Sequence, residues 1–221
     1  MKSPDDLAPP WLDWVRRMQA IAQNGLTYAR DPFDQQRYQQ LRALSAEILA
    51  SATARSLPGE AEALARAFTS GAGYTTPKLD VRAAVFRPGP VPTVLMVKER
   101  SDGGWTLPGG WVDVGESPSL AVEKEVREEA GYEVRASKLL ALLDRDRHGH
   151  PAMAEHVWKV FLRCEIVGES RAPGGDGLET DAVAFFAEDA LPSLSLPRVT
   201  PSQIARLFAH HRDPTLPTDF D

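Results

Sequence analysis

Residues 107–132 read LPGGWVDVGESPSLAVEKEVREEAGY, and this stretch decides how the rest of the 221-residue chain is interpreted. Pro108-Gly109-Gly110 predicts a tight turn with little side-chain bulk, whose backbone can approach a ligand or ion closely. Ser117 is a good helix cap and Pro118 a good first helical residue, so a helix is expected from Ser117 to Ala130. Within it Glu125, Glu128 and Glu129 fall at i, i+3 and i+4, on one face, with Glu123 close by. Three like charges on one stripe weaken an isolated helix, so Leu120, Val122 and Val126 are expected to anchor it in a core. Such a face is either a solvated acidic surface or a cation site. The glycine turn before it and Gly131 after it favour the cation. Hard oxygen ligands suit Mg²⁺ or Mn²⁺, with waters and substrate phosphates completing the shell.

Around this segment the apolar pattern alternates as in strands. Val81, Ala83 and Val85 alternate with Arg82, Ala84 and Phe86. Val94–Val97 reads as a short buried strand; Leu139–Leu143, Val157–Ile166 and Ala182–Phe186 read as others, and Thr200–His211 as a terminal helix. Strands interrupted by two separated helices predict an α/β sandwich.

Upstream, the spacing is helical. Trp11, Trp14, Val15, Met18, Ile21 and Ala22 form one stripe after Pro9-Pro10. Tyr38, Leu41, Leu44, Ile48 and Leu49 form a second, with Asp34 as its expected cap, and a third helix is expected from Gly59 to Phe68. Roughly 60 residues make a thin core unaided. The region is thus either a self-packed hairpin or an arm for homodimerisation, the reading we favour. The expected organisation is a small all-helical domain over 1–73, an α/β domain over 74–213 and a loose tail over 214–221.

The net charge of −6 and the lack of a Lys/Arg-rich run argue against a duplex nucleic-acid binder, but not against a small anionic substrate met by a cation. The start, MKSPDDLAPP, has no apolar stretch like that of a signal peptide, and no apolar run suits a membrane span, so a cytoplasmic setting is expected. The single cysteine, Cys164, sits in a strand pattern and is expected to be a buried, inert thiol.

The spacing Gly110, five residues, Glu116, seven residues, Lys124-Glu125-Val126, one residue, Glu128-Glu129, one residue, Gly131 resembles the Nudix box, with lysine where the box carries arginine. The resemblance implies an α/β/α sandwich with a mixed sheet that hydrolyses the pyrophosphate bond of a nucleoside diphosphate linked to another group, X. By position it makes Glu128 and Glu129 the main metal ligands, Glu125 a ligand or general base, the Gly110 carbonyl a further ligand and Glu116 and Lys124 supporting residues. The helical N-terminal region, GYTTPKLDVRAAVF, LLDRDRHGH and AFFAEDALPSLSLPRVT are similar to the subgroup typified by CDP-choline pyrophosphatase. That subgroup is dimeric through its helical region, and its substrate class makes CDP-choline or a related CDP-alcohol the leading expectation. ADP-ribose or another nucleoside diphosphate is the first rival, a non-catalytic nucleotide-sensing module the second, and trimming of RNA ends a third.

Glu179, after the glycine-rich run 173–177, competes with Glu125 as general base. Arg145 and Arg147, and with weaker support Arg82 and Arg100, are candidates for phosphate contact, against surface ion pairing. His148, His150 and His156 lack a zinc spacing such as HExxH. Trp105, Trp111 and Trp158 are expected to pack rather than to stack on a base.

Overall fold

Strand β1 (Lys78–Arg87) lies at the centre of a mixed sheet, and its alternation faces two cores. Val81, Ala83 and Val85 pack with Leu95 and Val97 against Ala121, Val122, Val126 and Ala130 of the acidic helix segment. Ala84 and Phe86 belong to the opposite core, with Val94, Met96 and Phe161 against Ile204, Leu207 and Phe208. A sheet covered on both faces needs apolar residues at successive positions, which is why Val94–Val97 carries no polar alternation.

The computed structural model describes residues 9–54, 60–168 and 179–221. The glycine-rich run 173–177 and the expected helix start at Gly59 lie outside them. The chain divides into two units, Met1–Pro77 with Ala152–His156, and Lys78–Pro151 with Val157–Asp221.

In the second unit, β2 (Thr93–Glu99), β3 (Trp105–Thr106), β4 (Val134–Asp144), β5 (Val157–Ile166), β6 (Thr180–Ala187) and β7 (Asp219–Phe220) join β1 in the order β3-β2-β1-β5-β4-β7, with β6 paired to β2. β1 and β5 run parallel, as do β4 and β7, and the other pairings are antiparallel. The helices α4 (Pro118–Glu125) and α5 (Pro201–Arg212) cover opposite faces, giving the expected α/β/α sandwich. Cys164 is buried in the first core, and burial pushes its thiol up to about 12, as its strand pattern predicts.

Two expectations need correction here. Leu120 does not anchor the acidic helix, because it is exposed; Ala121, Val122, Val126 and Ala130 do so. The tail is not loose, because β7 adds to the edge of β4 and Asp219 is held by Arg206 and His210.

The first unit holds α1 (Pro10–Tyr28), α2 (Pro32–Thr53) and α3 (Ala61–Phe68). Asp31, not Asp34, caps α2: its carboxylate accepts from the Phe33 and Asp34 backbone N–H groups. The buried stripe of α1 is Leu12, Val15, Gln19, Ala22 and Gln23, rotated from the expected one. The reason is that Gln19 and Gln23 are satisfied inside. Gln19 donates to Gln23 and to the Phe68 carbonyl, and Gln23 donates to the Gly73 carbonyl. Trp14, at 59% exposure, and Ile21, at 56%, are left outside that stripe.

Candidate active site

The glycine turn lies along the edge of β1. Val81 N–H donates to the Gly110 carbonyl at 2.8 Å, Ala83 N–H to the Pro108 carbonyl at 2.8 Å, and Val112 N–H to the Leu79 carbonyl at 3.1 Å. A Cβ on Gly109 would stand 2.0 Å from the Val81 carbonyl oxygen, and φ is +144° there. Only glycine fits. A Cβ on Gly110 would stand 2.8 Å from Glu125 Oε1, so the turn is pressed against the helix carboxylates. Gly109 N–H donates to Glu129 Oε2 at 2.8 Å and fixes that carboxylate.

The acidic segment is not one regular helix. Ser117 caps α4 through the Leu120 N–H, and α4 gives way at Val126–Ala130 to a π-helical turn closed by Gly131 at φ +73°. Such turns occur preferentially at functional sites because the wider turn re-aims side chains. Here Glu128 stays exposed while Glu129 is buried, at 7% exposure. Thr180 Oγ1 donates to the Glu129 carbonyl and ties the turn to the start of β6. Glu123 takes no part in this face, since its carboxylate accepts from Ala136 N–H on β4.

Electrostatics follow from this crowding. Burial above all, with Glu128 and Glu179 adding to it and Arg82 and Lys124 opposing it, raises Glu125 to about 7. Burial raises Glu129 to about 8, with Glu125 and Glu99 adding to the effect against Arg82 and the Gly109 N–H. Carboxylates held this close and this dry stay ionised at neutral pH only if a cation joins them. Glu125, Glu128 and Glu129 offer hard oxygens for such an ion, as does the second lone pair of the Gly110 carbonyl, so these residues fit a divalent metal.

Lys124 replaces the expected arginine fork by bridging two carboxylates, at 3.0 Å from Asp113 Oδ2 and 3.1 Å from Glu116 Oε1. Glu116 therefore braces the helix through Lys124. Glu179 is exposed just before β6, and its carbonyl accepts from Arg100 N–H. Its charge acts on both Glu125 and Glu99.

The arginines divide. Arg82 and Arg145 are buried and so are not offered to a phosphate at the surface. Arg82 is clamped to Asp80 and the Leu107 carbonyl, and Arg145 donates to the Pro151 and Pro197 carbonyls. Arg145 and Arg147 sit in a 3₁₀ turn that directly follows the end of β4. Arg100 pairs with Asp181, and exposed Arg147 with Asp221. His148 meets Asp221, and His150 lies between the Leu196 carbonyl and Gln203, so these two are engaged within the protein. Three buried charged residues escaped the sequence reading: Asp80, Glu99 and Lys159. Their only signal was a charge inside an apolar strand.

The comparisons with known proteins converge on this segment. A domain described as NUDIX matches residues 76–208, and one described as a UDP-X-like N-terminal oligomerisation domain matches residues 9–60. YjhB of Bacillus subtilis, provisionally named an ADP-ribose pyrophosphatase, is 42% identical over 211 residues, covering 96% of this chain and 97% of its own. A crystal structure described as an ADP-ribose pyrophosphatase from Streptococcus suis is 42% identical with a TM-score of 0.58, over 66% of this chain and 100% of that one. A UDP-X diphosphatase structure is 30% identical with a TM-score of 0.59, over 96% and 98% of the two chains. The chain belongs to the Nudix family and is a Nudix hydrolase with a helical N-terminal region of the UDP-X-like type.

Proposed function

We propose that the chain hydrolyses the pyrophosphate bond of a nucleoside diphosphate linked to X, with ADP-ribose the first substrate to be tested. The observation that carries this reading is the packing of Glu125 and Glu129 against the glycine turn, with Glu128 and Glu179 close enough to perturb Glu125. The names of the relatives favour ADP-ribose over the CDP-alcohol expected from the sequence. CDP-choline stays in the panel because nothing in the site's geometry selects a base.

A divalent cation, Mg²⁺ or Mn²⁺, would be held by Glu128, Glu129 and Glu125, and when bound would neutralise phosphate charge and acidify a water. The chain's own part is to fix Glu129 through Gly109 N–H and to keep Glu125 half-buried, where its carboxylate can accept a proton near neutral pH. Glu179 is the alternative proton acceptor, exposed and within electrostatic reach of Glu125. Presence of all three helix glutamates favours turnover over mere nucleotide sensing. Incubation of ADP-ribose, UDP-sugars and CDP-choline with Mg²⁺ and resolution of the products tests this; failure to release a nucleoside monophosphate from any of them overturns it.

The same reading includes a homodimer through the helical unit. Trp14, Ile21 and Tyr28 recur every seven residues on α1 and are exposed, a face suited to a second copy. The match to an N-terminal oligomerisation domain supports it.

A further inference from the structure

Asp80, Arg82 and Lys159 form a buried charged group of their own beside the glycine turn. Asp80 Oδ1 accepts from Arg82 Nε at 2.9 Å and from Lys159 Nζ at 2.7 Å, and Asp80 Oδ2 accepts from Arg82 Nη2 at 2.7 Å. The side chains of Arg82, Asp80 and Lys159 are 5%, 7% and 1% exposed. Asp80 and Lys159 are directly opposite in the parallel β1–β5 register. Two cations and one carboxylate leave one positive charge uncompensated within the group.

Burying ions is expensive, and replacing a buried ion group by well-packed apolar residues is often neutral or stabilising. Stability alone does not account for this one. Its remaining donor does: Arg82 Nη1 donates to the Leu107 carbonyl at 3.2 Å. Leu107 opens the glycine turn. The turn's other carbonyls, of Pro108 and Gly110, are held by backbone N–H groups of β1 on either side of Arg82. Arg82 is thus a cationic side-chain anchor at the start of the turn, sharing the Leu107 carbonyl with the Thr106 hydroxyl, and Asp80 and Lys159 fix its guanidinium plane. The turn then delivers Gly109 N–H to Glu129. Arg82 also lies within electrostatic reach of Glu129 and Glu99.

We propose that Arg82, clamped by Asp80 and Lys159, is a positioning residue that sets the glycine turn, and through it the Glu129 carboxylate, for divalent-cation binding. This rests on the reading of Glu129 as a metal ligand. Partners one step removed from a metal ligand typically change affinity about 10- to 100-fold. A lysine keeps the charge but loses the planar fork that grips Asp80 and Leu107 together.

The test is binding of Mn²⁺ alone, followed by the electron paramagnetic resonance of the free ion, with folding checked by near-ultraviolet circular dichroism. The proteins are the wild type, Glu129→Gln, Arg82→Met, Arg82→Lys and the double variant Asp80→Asn/Lys159→Met. The expected result is Mn²⁺ affinity weakened about 10- to 100-fold in Arg82→Met, with partial recovery in Arg82→Lys and an intermediate loss in the double variant. Wild-type affinity in folded Arg82→Met overturns the proposal. If Arg82→Met does not fold, wild-type affinity in Arg82→Lys and in the double variant overturns it. Failure of the underlying site reading looks different: the wild type binds no Mn²⁺, or Glu129→Gln binds it as the wild type does.

Discussion

Metal binding at this site should expel protons, and the number can be worked out. With Glu125 near 7 and Glu129 near 8, at pH 7 the first is about half protonated and the second about nine-tenths, or about 1.4 protons for the pair. A cation needs both carboxylates ionised, so those protons leave as it binds. The apparent Mg²⁺ or Mn²⁺ affinity should therefore rise about 25-fold per pH unit around pH 7, and level off above about pH 9, where only about 0.1 proton is left to displace. The sign for stability runs the other way. Unfolded glutamates ionise near 4.5, so between there and about 8 the metal-free fold holds more protons than the unfolded chain. Its stability falls as pH rises through that window, and the bound cation restores it. Isothermal titration of Mn²⁺ at pH 7, in buffers of different ionisation enthalpy, reads the released protons directly. Zero release at pH 7, or an affinity flat from pH 6 to 9, would show that these carboxylates hold no protons for the cation to displace.

Other outcomes follow from the same geometry. Glu129→Gln and Glu128→Gln should each reduce metal-dependent turnover by about 10²–10⁴-fold while leaving the circular dichroism spectrum unchanged. Gly109→Ala puts a Cβ 2.0 Å from the Val81 carbonyl at a φ of +144°; the turn must shift, with a loss of at least about 1–3 kcal/mol in denaturant unfolding and of Mn²⁺ binding. Asp31→Ala removes the cap of α2 and should lower stability by about 1 kcal/mol in a thermal or denaturant melt. Trp14→Glu with Ile21→Glu should lower the mass measured by light scattering from dimer to monomer, with turnover of any accepted substrate assayed alongside.

The carboxylate cluster was legible in the sequence because its residues are local: one helical segment and one turn, with spacing set by helix geometry. The burial of β2 was legible for the same reason, from its apolar run, while the alternation in β1 gave the strand but not its burial on both faces. The π-helical turn at Val126–Ala130, which carries exposed Glu128 and buried Glu129, was not legible, because a wider turn leaves no mark in residue spacing. The cap of α2 was misplaced by three residues because Asp31 and Asp34 both flank the Pro32 start. The role of Arg82 was hidden more deeply. Its partners Asp80 and Lys159 are 79 positions apart, and only the parallel β1–β5 register brings them together. An arginine in a strand reads as a ligand contact until its partner is seen. The edge strand β7 was hidden similarly, because its pairing partner β4 lies far upstream.

The most direct test of the account is a product-resolved assay of wild type and Glu129→Gln in ¹⁸O-labelled water with Mg²⁺ and the nucleoside-diphosphate panel, led by ADP-ribose. The expected result is a nucleoside monophosphate and a phosphorylated X, one ¹⁸O in one of the two phosphates, turnover at least about 10²-fold lower in the variant, and no product after chelation. Equal turnover by Glu129→Gln, or products that keep the pyrophosphate intact, would contradict it.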